Sequence, residues 1–289
     1  MAITTADIKQ LRESTGAGIL DCKKALQETD GDVDKAIEVL RKKGLAAASK
    51  KASREANDGA ISAEVTNGGK TGVMVEVNCE TDFVARTDDF QDFVAALVRQ
   101  VQENPALDNP EALLAAPFVD DSSRTVSDVL TETIAKLGEN MVIKRVARFD
   151  LDGEGLIDSY VHMGGRVGVL VELVGASNDQ ASELAHDLAL QIAAANPAYV
   201  NESDVPAASI AAEKDVYLAQ LANDNKPDNI KERIIEGKLK KWYSEVVLLN
   251  QEFVKDGDLT IAKLVDKTSK EVGSPLTISR FARFELGEG

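Results

Sequence analysis

The sequence predicts an α+β protein: a small three-helix bundle followed by two copies of one unit, each an antiparallel β-sheet with helices on one face. Two internal matches carry this reading. Gly59 to Glu76 aligns without a gap on Gly155 to Glu172, pairing Gly59/Gly155, Ile61/Ile157, Val65/Val161, Gly68/Gly164, Gly69/Gly165, Gly72/Gly168, Val73/Val169, Val75/Val171 and Glu76/Glu172. Later, Ile143, Arg145, Ala147, Arg148, Phe149 and Leu151 match Ile278, Arg280, Ala282, Arg283, Phe284 and Leu286 and close each copy with a strand. Hairpins with helices laid on them exclude a doubly wound parallel sheet.

The elements follow in order. In residues 1–44, Thr4 or Thr5 caps a helix through Ser14, Gly18 opens a second to Glu28, and Asp32 caps a third to Lys43, with Gly44 as its stop. Ile8, Leu11, Leu20, Ala25, Leu26, Val33, Ala36, Ile37 and Leu40 recur at helical spacing and predict one small shared core. The Ala, Ser, Lys and Arg of 45–54 read as a helical or flexible tether on which the bundle swings. Ile61, Ala63 and Val65 then alternate with polar residues, Gly68-Gly69 supplies a two-residue turn, and Val73, Val75 and Val77 return. A helix carrying Phe90, Val94, Leu97, Val98 and Val101 ends before Pro105, and a later one covers about 126–137. The second copy repeats the hairpin and a helix with Leu184, Leu188, Ile192 and Ala195. It is longer, 132 residues against 93, and about 39 extra residues fall among the helix formers of 197–246. The predicted domains are therefore 1–54, 55–151 and 152–289, the last with a helical insertion at about 197–246.

Composition narrows the function. The net charge of −16 is uneven: 11 Lys and Arg stand against 8 Asp and Glu in residues 1–54, and 22 against 41 in the remainder. Most of the molecule should repel phosphate backbones, so no direct nucleic-acid binding is expected. Arg41, Lys42, Lys43, Lys50, Lys51 and Arg54 form a basic run without interleaved aromatics, which reads as a solvated tether before an RNA contact. Cys22 and Cys79 lie far apart, and His162 and His186 add no cluster, so neither a disulfide framework nor a metal site is expected. No apolar run reaches a membrane span and the stretch from Met1 to Asp7 lacks a basic region followed by an apolar run, so a cytoplasmic location is expected. Gly16-Ala17-Gly18 opens a helix without a preceding strand or a following P-loop lysine, which argues against nucleotide binding by this chain. Neither histidine sits in a nucleophile motif, so no catalytic residue and no cofactor are assigned.

The copies diverge after the first hairpin. One reads Asn78-Cys79-Glu80-Thr81-Asp82-Phe83-Val84-Ala85-Arg86 where the other reads Val174-Gly175-Ala176-Ser177-Asn178. Counted back from Phe90 and Val94, Phe83 falls on the buried helical stripe, which makes it a core residue or a first-turn staple. Thr87-Asp88-Asp89, however, is a fresh helix start, which leaves Thr81 to Arg86 as a separate turn capped by Thr81 and able to present its aromatic outward. Trp242 and Tyr243, after Lys240 and Lys241, read as residues packed on helix stems.

Three segments in this order resemble the bacterial elongation factor Ts family, the guanine-nucleotide exchange factors of elongation factor Tu: Thr15-Gly16-Ala17-Gly18-Ile19-Leu20-Asp21-Cys22-Lys23-Lys24-Ala25-Leu26, Glu76 to Val84, and Arg280-Phe281-Ala282-Arg283-Phe284. The resemblance covers essentially the whole chain. It implies a UBA-like N-terminal bundle that docks on Tu through Ile19, Leu20 and Lys23, with Leu11 and Arg12 adjoining. It also implies that Thr81, Asp82, Phe83 and Val84 disturb the partner's magnesium site. His162, at the second hairpin's tip, resembles a further contact to Tu, and the insertion resembles a helical protrusion that pairs two copies in some members, so a homodimer is one expectation. The chain stops at Gly287-Glu288-Gly289, where some members continue into a further Tu-binding helix, so that contact is expected to be absent. The implied activity is GDP release from Tu; the alternative is a Tu-binding or RNA-associated scaffold without exchange.

Overall fold

The computed structural model describes residues 3–221 and 226–288; Met1, Ala2, Gly289 and residues 222–225 of the expected insertion lie outside the described residues. It is a mixture of helices and antiparallel sheet. Three helices open the chain: α1 (Thr5–Thr15), α2 (Ile19–Glu28) and α3 (Val33–Lys51). Thr4 and Asp7 cap α1 reciprocally, Gly16 ends it in the left-handed conformation at φ 66°, and Asp32 caps α3 through the Lys35 N–H. Leu11, Cys22, Ala25, Leu26 and Ala36 are buried together between them. Leu20 and Ile37, which the helical pattern assigns to that core, are exposed instead.

Gly44 does not stop α3. The helix runs two turns further, to Lys51, packed along α7 (Val126–Leu137), where a Cβ at Gly44 would make only ordinary contact, 3.5 Å, with that of Ala135. The helix-forming alanines beyond it then propagate the same backbone. The expected swinging tether is thus a helix fastened along its length. Arg41 pairs with Asp128 at 2.5 Å, Ala48 packs on the first repeat's core, and the Lys51 ammonium donates to the Ile134 carbonyl at 3.5 Å.

The first repeat places β2 (Thr71–Cys79) between β1 (Asp58–Thr66) and β5 (Met141–Asp150), all antiparallel. The second places β7 (Val167–Val174) between β6 (Gly155–His162) and β10 (Thr277–Glu285). The hairpin loops hold four residues, not the two expected. Thr66 pairs with Thr71, and Asn67, Gly68 and Gly69 all take positive φ, which a tight two-residue turn cannot accommodate. The helices α4 (Asp82–Ala85), α5 (Asp88–Glu103), α6 (Pro110–Ala115) and α7 belong to the first repeat. The second carries α8 (Asp179–Ala195), the inserted pair α9 (Ala207–Gln220) and α10 (Asp228–Val246), and α11 (Ile261–Val272).

A further repeated piece escaped the sequence reading. The short hairpin β3 (Pro117–Phe118) with β4 (Asp121–Thr125) recurs as β8 (Glu252–Phe253) with β9 (Asp256–Thr260). Each is held by a buried glutamine amide, Gln100 from α5 or Gln191 from α8, the long helix that follows its repeat's main hairpin. Gln100 donates to Pro117 O at 2.8 Å and accepts from Val119 N at 3.1 Å, while Gln191 donates to Glu252 O at 3.1 Å and accepts from Val254 N at 2.8 Å.

Helices and the opposite sheet pack against each sheet, which is why β2 and β7 are buried almost throughout. The contact is reciprocal. Ile61 and Ile157 each project onto a glycine of the opposite repeat: a Cβ on Gly72 would lie 2.7 Å from Ile157 Cγ2, and one on Gly168 would overlap Ile61 Cγ2 and lie 2.7 Å from Met74 Sδ. Ile61 N donates to Gly165 O at 2.8 Å and Ile157 N to Gly69 O at 2.7 Å. Arg145 stacks on Phe284 at 4.4 Å while bonded to the buried Glu76; Arg280 stacks on Phe149 at 4.3 Å while bonded to the buried Glu172.

Gly168→Ala should therefore cost about 1–3 kcal/mol through overpacking, and less than that in an Ile61→Ala background, which removes the Cγ2 methyl that the new Cβ would meet; urea unfolding measures both. Asp128 supports a second expectation. The Thr125 N–H, and after it the Arg41 guanidinium, hold its carboxyl below the ordinary carboxylate range. A depressed folded-state pKa gives stability that is complete above the unfolded value of about 3.9 and is lost as pH falls through the folded one. Asp128→Asn should lower the urea midpoint at pH 7, and the difference from wild type should narrow as the pH falls below the unfolded value of about 3.9 and through the folded one.

Candidate functional site

Seven residues separate Cys79 at the end of β2 from Thr87, the cap of α5, whereas two separate Gly175 after β7 from Asn178, the cap of α8. The first repeat thus holds five more residues at this corner, and they form the turn α4. Its cap, Thr81, accepts from Val84 N at 3.4 Å. Thr87 caps α5 afresh, so the chain breaks between the two helices and α4 leaves the buried stripe. Of the two readings that the sequence leaves open for Phe83, the structure selects the outward one: the ring is 81% exposed, while Phe90 and Phe93 on α5 are buried.

The turn is fastened on every side. Thr81 N and Oγ1 donate to the two carboxylate oxygens of Glu139 at 2.9 and 2.7 Å. Cys79 Sγ donates to Thr81 O at 3.1 Å, Thr87 Oγ1 to Val84 O at 2.8 Å, and Gln91 Nε2 to Ala85 O at 2.6 Å. Glu80 Oε1 accepts from Asn140 N at 2.6 Å, which holds its carboxyl below the ordinary range. Arg86 pairs with Asp82 at 2.8 Å and leaves a half-buried carboxylate beside the exposed ring. Burial pushes the Cys79 thiol up to about 12, so it stays protonated and acts as a packing residue and donor.

The other candidate residues lie on two separate surfaces. On α2, Ile19 and Leu20 are 57% and 71% exposed, and Lys23 lies one turn along the same helix, also exposed. Arg12 on α1 is exposed, but Leu11 is fully buried in the helical core. Leu11 therefore serves by holding α1 on α2 and α3; its side chain does not face outward. His162 is exposed at the end of β6, where its Nδ1 lies 2.8 Å from the Tyr160 hydroxyl, and the adjacent Met163 is exposed in the loop. His186 bonds Asp158 at 3.0 Å, and Trp242 and Tyr243 lie half-buried on α10. Much of the basic run is neutralised internally: Arg41 pairs with Asp128, Lys42 with Glu38, Lys43 with Glu28 and Arg54 with Glu80. Among the described residues no group of three or more His, Cys, Asp or Glu is placed to hold a metal ion, and no helix is long and apolar enough to cross a membrane.

The family model described as elongation factor TS matches residues 80–288, beginning one residue before the capped turn. Elongation factor Ts of Clostridium perfringens is 51% identical over 288 residues, covering 99% of this chain and 94% of the relative. The chain belongs to the elongation factor Ts family. The elongation factor Ts of Trichlorobacter lovleyi is 50% identical over 295 residues, with 100% and 94% covered, and that of Clostridium novyi 47% over 288 residues, with 99% and 94% covered. Membership makes this chain a translation elongation factor by family, and the exposed ring becomes a residue to explain by partner binding.

Because the ring touches little of its own chain, Phe83→Ala should change folding stability by no more than about 0.5 kcal/mol, whereas Phe90→Ala should cost about 3–5 kcal/mol. Urea unfolding of the two variants checks the contrast.

Proposed function

We propose that this elongation factor Ts relative binds elongation factor Tu with GDP and promotes GDP release, so that GTP can enter. The observation that carries the reading is an aromatic ring held out in solvent by a turn that Glu139, Thr87 and Gln91 fasten by hydrogen bonds. Exposing a phenylalanine forfeits about 1.5–3 kcal/mol of burial, and a rigid mount conserves that energy for a partner because little ordering remains to be done on contact. No bond is made or broken by the factor itself.

Exchange is then differential binding. A factor that prefers nucleotide-free Tu weakens nucleotide binding by the factor by which nucleotide weakens its own. In a P-loop GTPase the phosphates are held by aligned donors and a magnesium ion, so a wedge that shifts neighbouring elements weakens several charge contacts together. Asp82 and Phe83 form that wedge, with Thr81 and Val84 setting its geometry, and they act on the partner's magnesium site. Ile19, Leu20 and Lys23 on α2, with Arg12 beside them, dock the N-terminal helices, and His162 adds a contact from the second repeat. The apolar pair with a cation at one helical turn's spacing suits a docking face, since nothing among the described residues covers it. The scaffold alternative lacks a role for the rigid mount. The arm formed by α9 and α10, with Val216 and Leu218 exposed, is the surface through which two copies would pair.

Phe83→Ala should slow GDP release from Tu by about 10- to 100-fold at saturating factor, since each 1.4 kcal/mol is tenfold. Leu20→Ala should mainly raise the factor concentration required. A fluorescent-GDP displacement assay reads both, and release unaltered by Phe83→Ala would remove the wedge.

A further inference from the structure

The turn α4 is four residues long, and so short a helix cannot hold itself in one orientation. Its direction has to come from outside, and the strongest attachment at its start is the carboxylate of Glu139. The two Glu139 oxygens take the Thr81 backbone N–H and the Thr81 hydroxyl separately, at 2.9 and 2.7 Å. Charge-assisted bonds to both groups of the cap residue fix its position and its rotamer together. Glu139 is itself well placed. It follows Gly138, which ends α7 in the left-handed conformation at φ 83°, and precedes the buried Asn140. Asn140 donates from Nδ2 to Arg54 O at 2.8 Å and from its backbone to Glu80 at 2.6 Å, which braces the corner from both sides.

The second repeat provides an internal control. Its helix α11 ends at Gly273 in the same left-handed conformation, so Glu139 and Asn140 correspond to Ser274 and Pro275. Ser274 Oγ donates to Gly175 O at 2.9 Å, and the carboxylate at this corner comes from elsewhere, Glu154, which accepts from Ser177 Oγ at 2.7 Å. The copy that lacks the five added residues has a serine in place of the Glu139 carboxylate.

We propose that Glu139 is a positioning residue for exchange: its carboxylate clasps the Thr81 cap and sets the direction in which Phe83 projects at the partner. The proposal rests on the exchange reading and deepens it. Glu139 touches neither the ring nor the partner's nucleotide; it acts through Thr81.

The full-length chain is used with Glu139→Gln, which is nearly isosteric and keeps one acceptor oxygen, and with Glu139→Ala, which keeps none. Maximal GDP release and half-saturating factor concentration are measured separately. Glu139→Ala should lower the maximal rate about tenfold while changing the half-saturating concentration by no more than about twofold, with Glu139→Gln between it and wild type. In a Phe83→Ala background, Glu139→Ala should cause no further loss, because the two act as one unit. Hydrogen exchange of the amides of Thr81 to Arg86 in the free factor should quicken in both Glu139 variants. Overturning results are an unchanged maximal rate in Glu139→Ala, losses that multiply with Phe83→Ala, or unchanged amide exchange. The amide measurement needs no partner and so tests the clasp apart from the exchange reading; unaltered release with Phe83→Ala would overturn that reading instead.

Discussion

Everything in the molecule is arranged around the reciprocal seating of Ile61 on Gly168 and Ile157 on Gly72. Two sheets whose second faces would otherwise stay wet are closed on one another there, and the small cluster of Ile61, Met74, Phe149, Ile157, Leu170, Phe284 and Leu286 seals the seam. Sheets normally pack about 10 Å apart, and the missing Cβ atoms let an isoleucine branch fill that gap without strain. The paired Arg–Glu–Phe stacks at the edges use a buried carboxylate to aim each guanidinium across the seam. Such pairs set orientation more than they add stability.

A rigid doubled core gives the first repeat a fixed corner at which to mount something. Five added residues there would ordinarily make a loose loop. Here Thr81, Thr87, Gln91 and Glu139 take up the polar groups of the turn, and the freed direction is spent on one outward ring. The N-terminal helices attach to the same repeat through α3 on α7, not through a slack linker. The exposed face of α2 and the ring are therefore carried by one packed body.

Much of this was legible in the sequence because glycines and alternating valines report backbone geometry directly. The duplication, the three N-terminal helices, the separate turn at Thr81 and the inserted helices are all written in local pattern. What local pattern omitted was long-range. Gly44 reads as a helix stop unless Ala135 is known to lie against it. Nothing local distinguishes Gln100 and Gln191 from surface glutamines, although Phe118-Val119 and Phe253-Val254, matched in register with Thr125 and Thr260, carried the missed repeat. Glu139 was missed because its partner, Thr81, lies 58 residues away. Leu11 was assigned to a surface by resemblance while its own helical spacing already placed it in the core.

The central claim is that Phe83 leaves water for the partner's interior when the two proteins meet. A 4-fluorophenylalanine placed at position 83 alone, followed by fluorine NMR, reports it without relying on exchange rates. The free factor should give a sharp, solvent-accessible resonance that shifts and broadens on addition of nucleotide-free elongation factor Tu. A complex that forms while that resonance stays sharp and unshifted would contradict the account.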